Sequence, residues 1–98
     1  MNRNMMKQMQ QLQAKILRTQ EELGNETVEG SAGGGAVRIV MTGHQKVHAI
    51  TIDPEAAEDV ELLQDLLVTA FNDAQEKVAA LVEKRMGPLT GGLGIPGL

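Results

Sequence analysis

No cysteine, tryptophan or tyrosine occurs among the 98 residues, and Phe71 is the one aromatic side chain. Without cysteine there are no disulfides, no thiolate zinc sites and no thiol nucleophiles, a usage that fits a reducing compartment such as the cytosol. Without aromatic platforms for bases to stack on, single-stranded nucleic acid is a poor fit as a partner. Long apolar runs are missing too: nothing approaches the roughly 18 consecutive apolar residues of a membrane span, and the N-terminus lacks the uninterrupted apolar stretch of a secretory signal. The core must therefore be aliphatic, drawn from Leu, Val, Ile, Ala and six Met. A single domain of this size lies near the lower end of what buries a useful core alone, which favours a partner copy.

Acid is also missing from one place. The chain carries a formal net charge of -4, yet its first twenty residues hold Arg3, Lys7, Lys15 and Arg18 and no Asp or Glu; Glu21 is the first acid. In the same segment Met5, Met9, Leu12, Ile16, Thr19 and Leu23 recur in alternating steps of four and three, the seam of an amphipathic helix over about 3–23 that Gly24-Asn25 ends. Thr19 is the weak point of that seam, where a larger apolar side chain would pack better. At about 100° per residue the four cations fall within an arc of roughly 120°, nearly opposite the seam, with Gln10 and Gln11 projecting near them. Long cations can simply solubilise a helix, but solvated faces usually interleave both signs. The segregation here favours a polyanion, and duplex DNA held through its phosphates, with weak sequence selectivity, is the form the composition allows.

Beyond the helix, Val28 opens a short strand, and Gly30 to Gly35 reads as a flexible turn. Val37, Ile39 and Met41 alternate with Arg38, Val40 and Thr42 as in a half-buried strand. Gly43-His44-Gln45 marks a reversal, and the β-branched run Lys46 to Ile52 returns as the second half of a hairpin. The sheet thus covers about 26–52 with about three antiparallel strands. Asp53-Pro54 stops it and starts a second helix, with Asp as N-cap and Pro at the first helical position. An apolar stripe from Val60 through Phe71 and Val78 carries that helix over about 54–86. Lys84 and Arg85 suit its C-terminal dipole, and Gly87-Pro88 ends it ahead of a flexible Gly/Pro-rich tail, 88–98. The expected fold is α+β: N-terminal helix, small antiparallel sheet, long C-terminal helix, forming one domain over 1–87.

Other constellations do not lead to chemistry. Gly33-Gly34-Gly35 is not followed by Gly-Lys-Ser/Thr and leads into a strand, so it is no phosphate cradle. His44 and His48 are four apart, a spacing that aligns ligands only on a helix. The carboxylates from Asp53 to Asp65 suit a helix start. Asn72-Asp73 interrupts the apolar stripe, where either residue lies on the outer face of the helix or Asn72 hydrogen-bonds the sheet or a partner helix. No nucleophile and base pair emerges. The expectation is a binding protein and not an enzyme, with no cofactor, no metal, no small-molecule substrate and no membrane.

The chain resembles the YbaB/EbfC family of bacterial nucleoid-associated proteins nearly end to end. The resemblance rests on Met5-Met6-Lys7-Gln8-Met9-Gln10, Glu21-Glu22-Leu23, Val28 through Gly35, Ile50-Thr51-Ile52-Asp53-Pro54-Glu55, Ala70-Phe71-Asn72-Asp73-Ala74 and Leu89-Thr90-Gly91-Gly92-Leu93 in order. It implies a homodimer with projecting N-terminal helices as arms, binding of double-stranded DNA, and a cytoplasmic, nucleoid-associated role in nucleoid organisation and gene regulation. No strict contact motif transfers from the family. What carries over is the arm, occupied here by Arg3, Lys7, Lys15 and Arg18 with Gln10 and Gln11 beside them. The residues by themselves also leave room for a small prefoldin-like chaperone or an interaction scaffold, though the first helix has under three heptads.

Overall fold

Asn2 starts the first helix: its side-chain oxygen accepts the Met5 N–H at 2.8 Å, satisfying a donor that the first helical turn leaves free. The computed structural model describes residues 2–90. Its elements are α1 (Arg3–Leu23), β1 (Thr27–Ala32), a 3-10 turn (Gly33–Gly35), β2 (Val37–Thr42), β3 (Val47–Ile52), α2 (Pro54–Ala57) and α3 (Val60–Thr90). The strands form one antiparallel sheet in the order β1-β2-β3. Helix α3 lies across β1 and β2, and its distal half runs beside α1.

The core is where the alternation of β2 placed it. Val37, Ile39 and Met41 are fully buried and meet Ala32 of β1 and the small-residue ladder Ala70, Ala74 and Val78 of α3. Steps of four along α3 put those three on one face. The small side chains bring helix and sheet close, and that closeness explains the first departure from expectation. Gly30 and Ser31 belong to β1, paired with Ile39 and Arg38, and do not form a turn. Only Gly33, Gly34 and Gly35 make the reversal, with φ values of 64°, 68° and 96° that favour glycine.

The second helix also departs from its expected course. It is not continuous over 54–86. Asp53 caps the one-turn α2, with Pro54 at its first position as expected, and the chain breaks at Glu58 and Asp59. Asp59 then caps α3 afresh by accepting the Leu62 N–H at 3.2 Å. Nor does Gly87-Pro88 end the helix, which runs on to Thr90. Proline removes one N–H from the ladder, but Met86 and Thr90 are buried on either side of it, and the Thr90 hydroxyl donates to the Met86 carbonyl at 3.0 Å. Burial of the last turns outweighs the missing donor. Of the expected tail, 88–90 are therefore helical, and 91–98 lie outside the described residues.

Candidate nucleic-acid interface

The helical period of α1 places Arg3, Lys7, Lys15 and Arg18 on one side, as its sequence requires, and all four are exposed. Among the described residues none of them has an ion-pair partner, and Lys46 and Lys84 share that state. By contrast Arg38 pairs with Glu29 at 3.7 Å, Lys77 with Asp73 at 3.1 Å, and Arg85 with both Glu22 and Glu26. Among the described residues the body thus pairs three of its five Lys and Arg side chains, and the arm pairs none of its four.

Gln10 and Gln11 part company. Gln11, Lys15 and Arg18 line one shallow groove with Pro88 and Leu89 from the end of α3, whereas Arg3, Lys7 and Gln10 lie outside it. The inner half of the basic face thus abuts α3 and the outer half stands clear. The seam follows the same gradient: Leu23 is buried, Leu12, Ile16 and Thr19 are half-buried, and Met5 and Met9 are 53% and 52% exposed. The described residues span 66 Å in their longest dimension against 22 and 15 Å in the others, the shape of a helical arm extending from a small body.

What holds the arm is concentrated at its base. Gly43, in the turn between β2 and β3, donates its N–H to the carbonyls of Leu23 and Glu26, each at 3.0 Å. A Cβ there would stand 2.5 Å from the Leu23 carbonyl oxygen, so only glycine admits the chain so close. Beside it the His44 ring Nε2 lies 2.7 Å from the Gln20 carbonyl oxygen. From the other side Arg85 of α3 reaches Glu22 and Glu26. Burial works against the Arg85 charge, but the hydrogen bonds and charges of the two glutamates outweigh it and raise its pKa further. Sequence reasoning assigned Arg85 to the helix dipole and missed this clamp, and no local signal marks a pairing across 63 positions.

Two expectations about polar residues resolve differently. His44 serves the arm base, and no cluster of three metal-binding side chains occurs among the described residues. Of the Asn72-Asp73 pair, Asp73 is the one that bonds the sheet. Its carboxylate accepts the Ser31 N–H at 3.0 Å and meets Lys77, while Lys77 also donates to the Glu29 carbonyl at 2.8 Å. The Ser31 N–H first, then Lys77, hold the Asp73 pKa below the ordinary carboxylate value against a smaller opposing effect of burial.

One further surface stands open. Ile50 and Ile52 pair with Ile39 and Val37 and so point to the face of the sheet that α3 covers, yet α3 leaves them 50% and 37% exposed. With Leu67, Val68 and Phe71 of α3, Ile39 and Ile50 line an apolar groove that Asn72 rims. Val60, Leu62 and Val68 add exposed apolar area along the same helix.

A sequence model described as the YbaB/EbfC DNA-binding family matches residues 1–93. A nucleoid-associated protein of Desulforamulus reducens is 57% identical over 96 residues, spanning 96% of this chain and 91% of its own length. Another, from Chloroflexus aurantiacus, is 53% identical over 93 residues, with 93% of each chain covered. In three dimensions the fold is similar to the crystal structure of an uncharacterized protein from Helicobacter pylori, with a TM-score of 0.74 at 23% identity, covering 96% of this chain and 99% of that one.

Proposed function

This chain belongs to the bacterial YbaB/EbfC DNA-binding family, and from that premise we propose that it acts as a homodimer whose two arms grip duplex DNA, chiefly through phosphates. The observation that carries this reading is the sorting of charge. Arg3, Lys7, Lys15 and Arg18 are exposed, and have no ion-pair partner among the described residues, on an arm without acid before Glu21, whereas the body ties up Arg38, Lys77 and Arg85. Separation of charge, not net charge, lets an acidic protein approach a polyanion. Gln10 and Gln11 add neutral donors beside the cations, and contacts of this kind hold register while carrying little sequence information.

A second copy completes the fold. The apolar groove between β3 and α3 and the bared Ile50, Ile52 and Val68 are continuous with the core, and a partner presenting the same face would cover them. Two arms then bring eight cations to the duplex, a role in organising the nucleoid within the cytoplasm and, through it, in gene regulation. The test is a salt titration of duplex binding. Neutralisation of about four to eight phosphates gives a log-log slope of roughly -4 to -7, and binding that ignores salt would remove the proposal.

A further inference from the structure

Of the 21 residues of α1, Leu23 alone is buried. Apolar packing therefore cannot by itself fix where the arm points, since the seam toward the tip contributes little burial. Where α3 runs beside the arm the seam is only half-buried, and the direction is set most firmly at the base, by contacts from two separate parts of the body. The hairpin turn supplies Gly43 and His44, which bond the carbonyls of Leu23, Glu26 and Gln20. Helix α3 supplies Arg85, whose two guanidinium nitrogens divide between Glu22, on the last turn of the arm, and Glu26, just beyond it. Glu26 Oε2 is buried, and the Arg85 guanidinium is the charge that faces it. A forked cation bridging two carboxylates defines an orientation as well as a distance.

We propose that Arg85 is a positioning residue for the nucleic-acid interface: clamped between Glu22 and Glu26, it fixes the angle at which the arm leaves the body and thereby the place where Arg3, Lys7, Lys15 and Arg18 are offered. The proposal rests on the arm-binding reading. A loose arm must be ordered on binding, and that entropy is lost from affinity. An arm already set does not incur the loss. Arg85 itself touches no phosphate in this scheme, because two carboxylates occupy it.

The absence of native cysteine permits clean spin labelling. Asn4→Cys on the arm and Glu55→Cys on α2, both exposed positions, are labelled and diluted into unlabelled protein, so that electron paramagnetic resonance reads the arm-to-body distance within one chain. The clamp is opened by Arg85→Gln with Glu26→Gln, which removes one charge of each sign and leaves the net charge unchanged. Lys84→Gln, at a neighbour with no ion-pair partner among the described residues, is the control. The expected result is a broadened distance distribution and duplex affinity about tenfold weaker, with an unchanged salt slope, since a lost phosphate contact would reduce it by about 0.9. His44→Ala, which keeps the clamp and the Gly43 bonds and removes only the ring contact, should broaden the distribution less, and a thermal transition near that of the parent shows that the first variant is folded. A distribution as narrow as that of the parent overturns the proposal, as does a broadened arm that binds duplex equally well. If the parent protein binds no duplex at all, the arm reading fails while the distance measurement still reports on the clamp.

Discussion

Gly30 of β1 and Ala74 of α3 meet backbone to backbone: a Cβ built on Gly30 would stand 2.4 Å from the Ala74 nitrogen and 2.4 Å from the Ala70 carbonyl oxygen. Neither atom belongs to a side chain that can swing aside. The sheet and helix must separate to admit one methyl group, and the buried ladder Ala70, Ala74 and Val78 separates with them.

Gly30→Ala is therefore expected to destabilise the fold by about 3 kcal/mol, the upper end of overpacking costs. A urea or guanidinium titration reads the loss. Gly87→Ala supplies the contrast, because a Cβ there meets nothing within 4 Å beyond its chain neighbours and the residue lies inside α3. Helix propensity then works against the crowding that a Cβ before Pro88 meets, so the change should stay within about 1 kcal/mol of zero. Equal effects at the two positions would mean that close approach does not govern Gly30.

Asp73 links the same two elements through charge. Its folded pKa is lowered, first by the Ser31 N–H and then by Lys77. A carboxylate whose pKa falls on folding contributes stability that is fully present above its unfolded value, about 3.9. That contribution disappears as pH drops through the folded value. Asp73→Asn should accordingly lower the urea midpoint at pH 7, and the gap from the parent should close as both are brought below pH 4. A gap independent of pH would mean that the ionised carboxylate is not what the Ser31 N–H and Lys77 stabilise.

These long-range contacts mark the boundary of what the sequence discloses. The arm is legible because its causes are local: a seam in steps of four and three, Gly24 at its end, and cations on the far side fix its bounds at 3–23. The burial of Val37, Ile39 and Met41 is legible for the same reason, since alternation in one strand suffices. Gly30 reads as a turn residue because its partner in close packing lies forty residues away in α3. Arg85 reads as a helix-end cation because Glu22 and Glu26 reach it only in three dimensions. Pro88 reads as a helix stop because burial of Met86 and Thr90 has no signature in the residues flanking it. Within the candidate site, the exposure of the four cations follows from helix periodicity. The groove that Pro88 and Leu89 form against Lys15 and Arg18 does not.

For the apolar face, the expected outcome concerns mass. Val68 is 61% exposed and Ile50 50% exposed in the isolated chain, both on the rim of one groove. An aspartate at either place would be tolerated by a monomer and excluded by an apolar interface, where an unpaired charge is costly. Light scattering should give twice the 10.5 kDa chain mass for the parent and the single mass for Val68→Asp. A dimer that survives both Val68→Asp and Ile50→Asp would place the interface elsewhere.

The arm cations supply the last expectation, because reversal distinguishes a contact surface from a solubilising one. Lys15 and Arg18 sit on the inner half of the basic face, beside Pro88 and Leu89, with no ion-pair partner among the described residues. Their replacement by Glu breaks no salt bridge and fills no buried space, so the melting temperature and the dimer mass should stay near the parent values. Each replacement changes charge by two, so the pair alters one arm by four units and converts its inner half from attraction to repulsion of phosphate. Duplex binding should then be lost in a mobility-shift assay at moderate salt. Arg3→Glu with Lys7→Glu, at the outer half, provides the comparison: the arm reading requires weakening there as well. Binding that persists in both pairs would shift the contact to the body, where Lys46 and Lys84 are the remaining unpaired cations among the described residues.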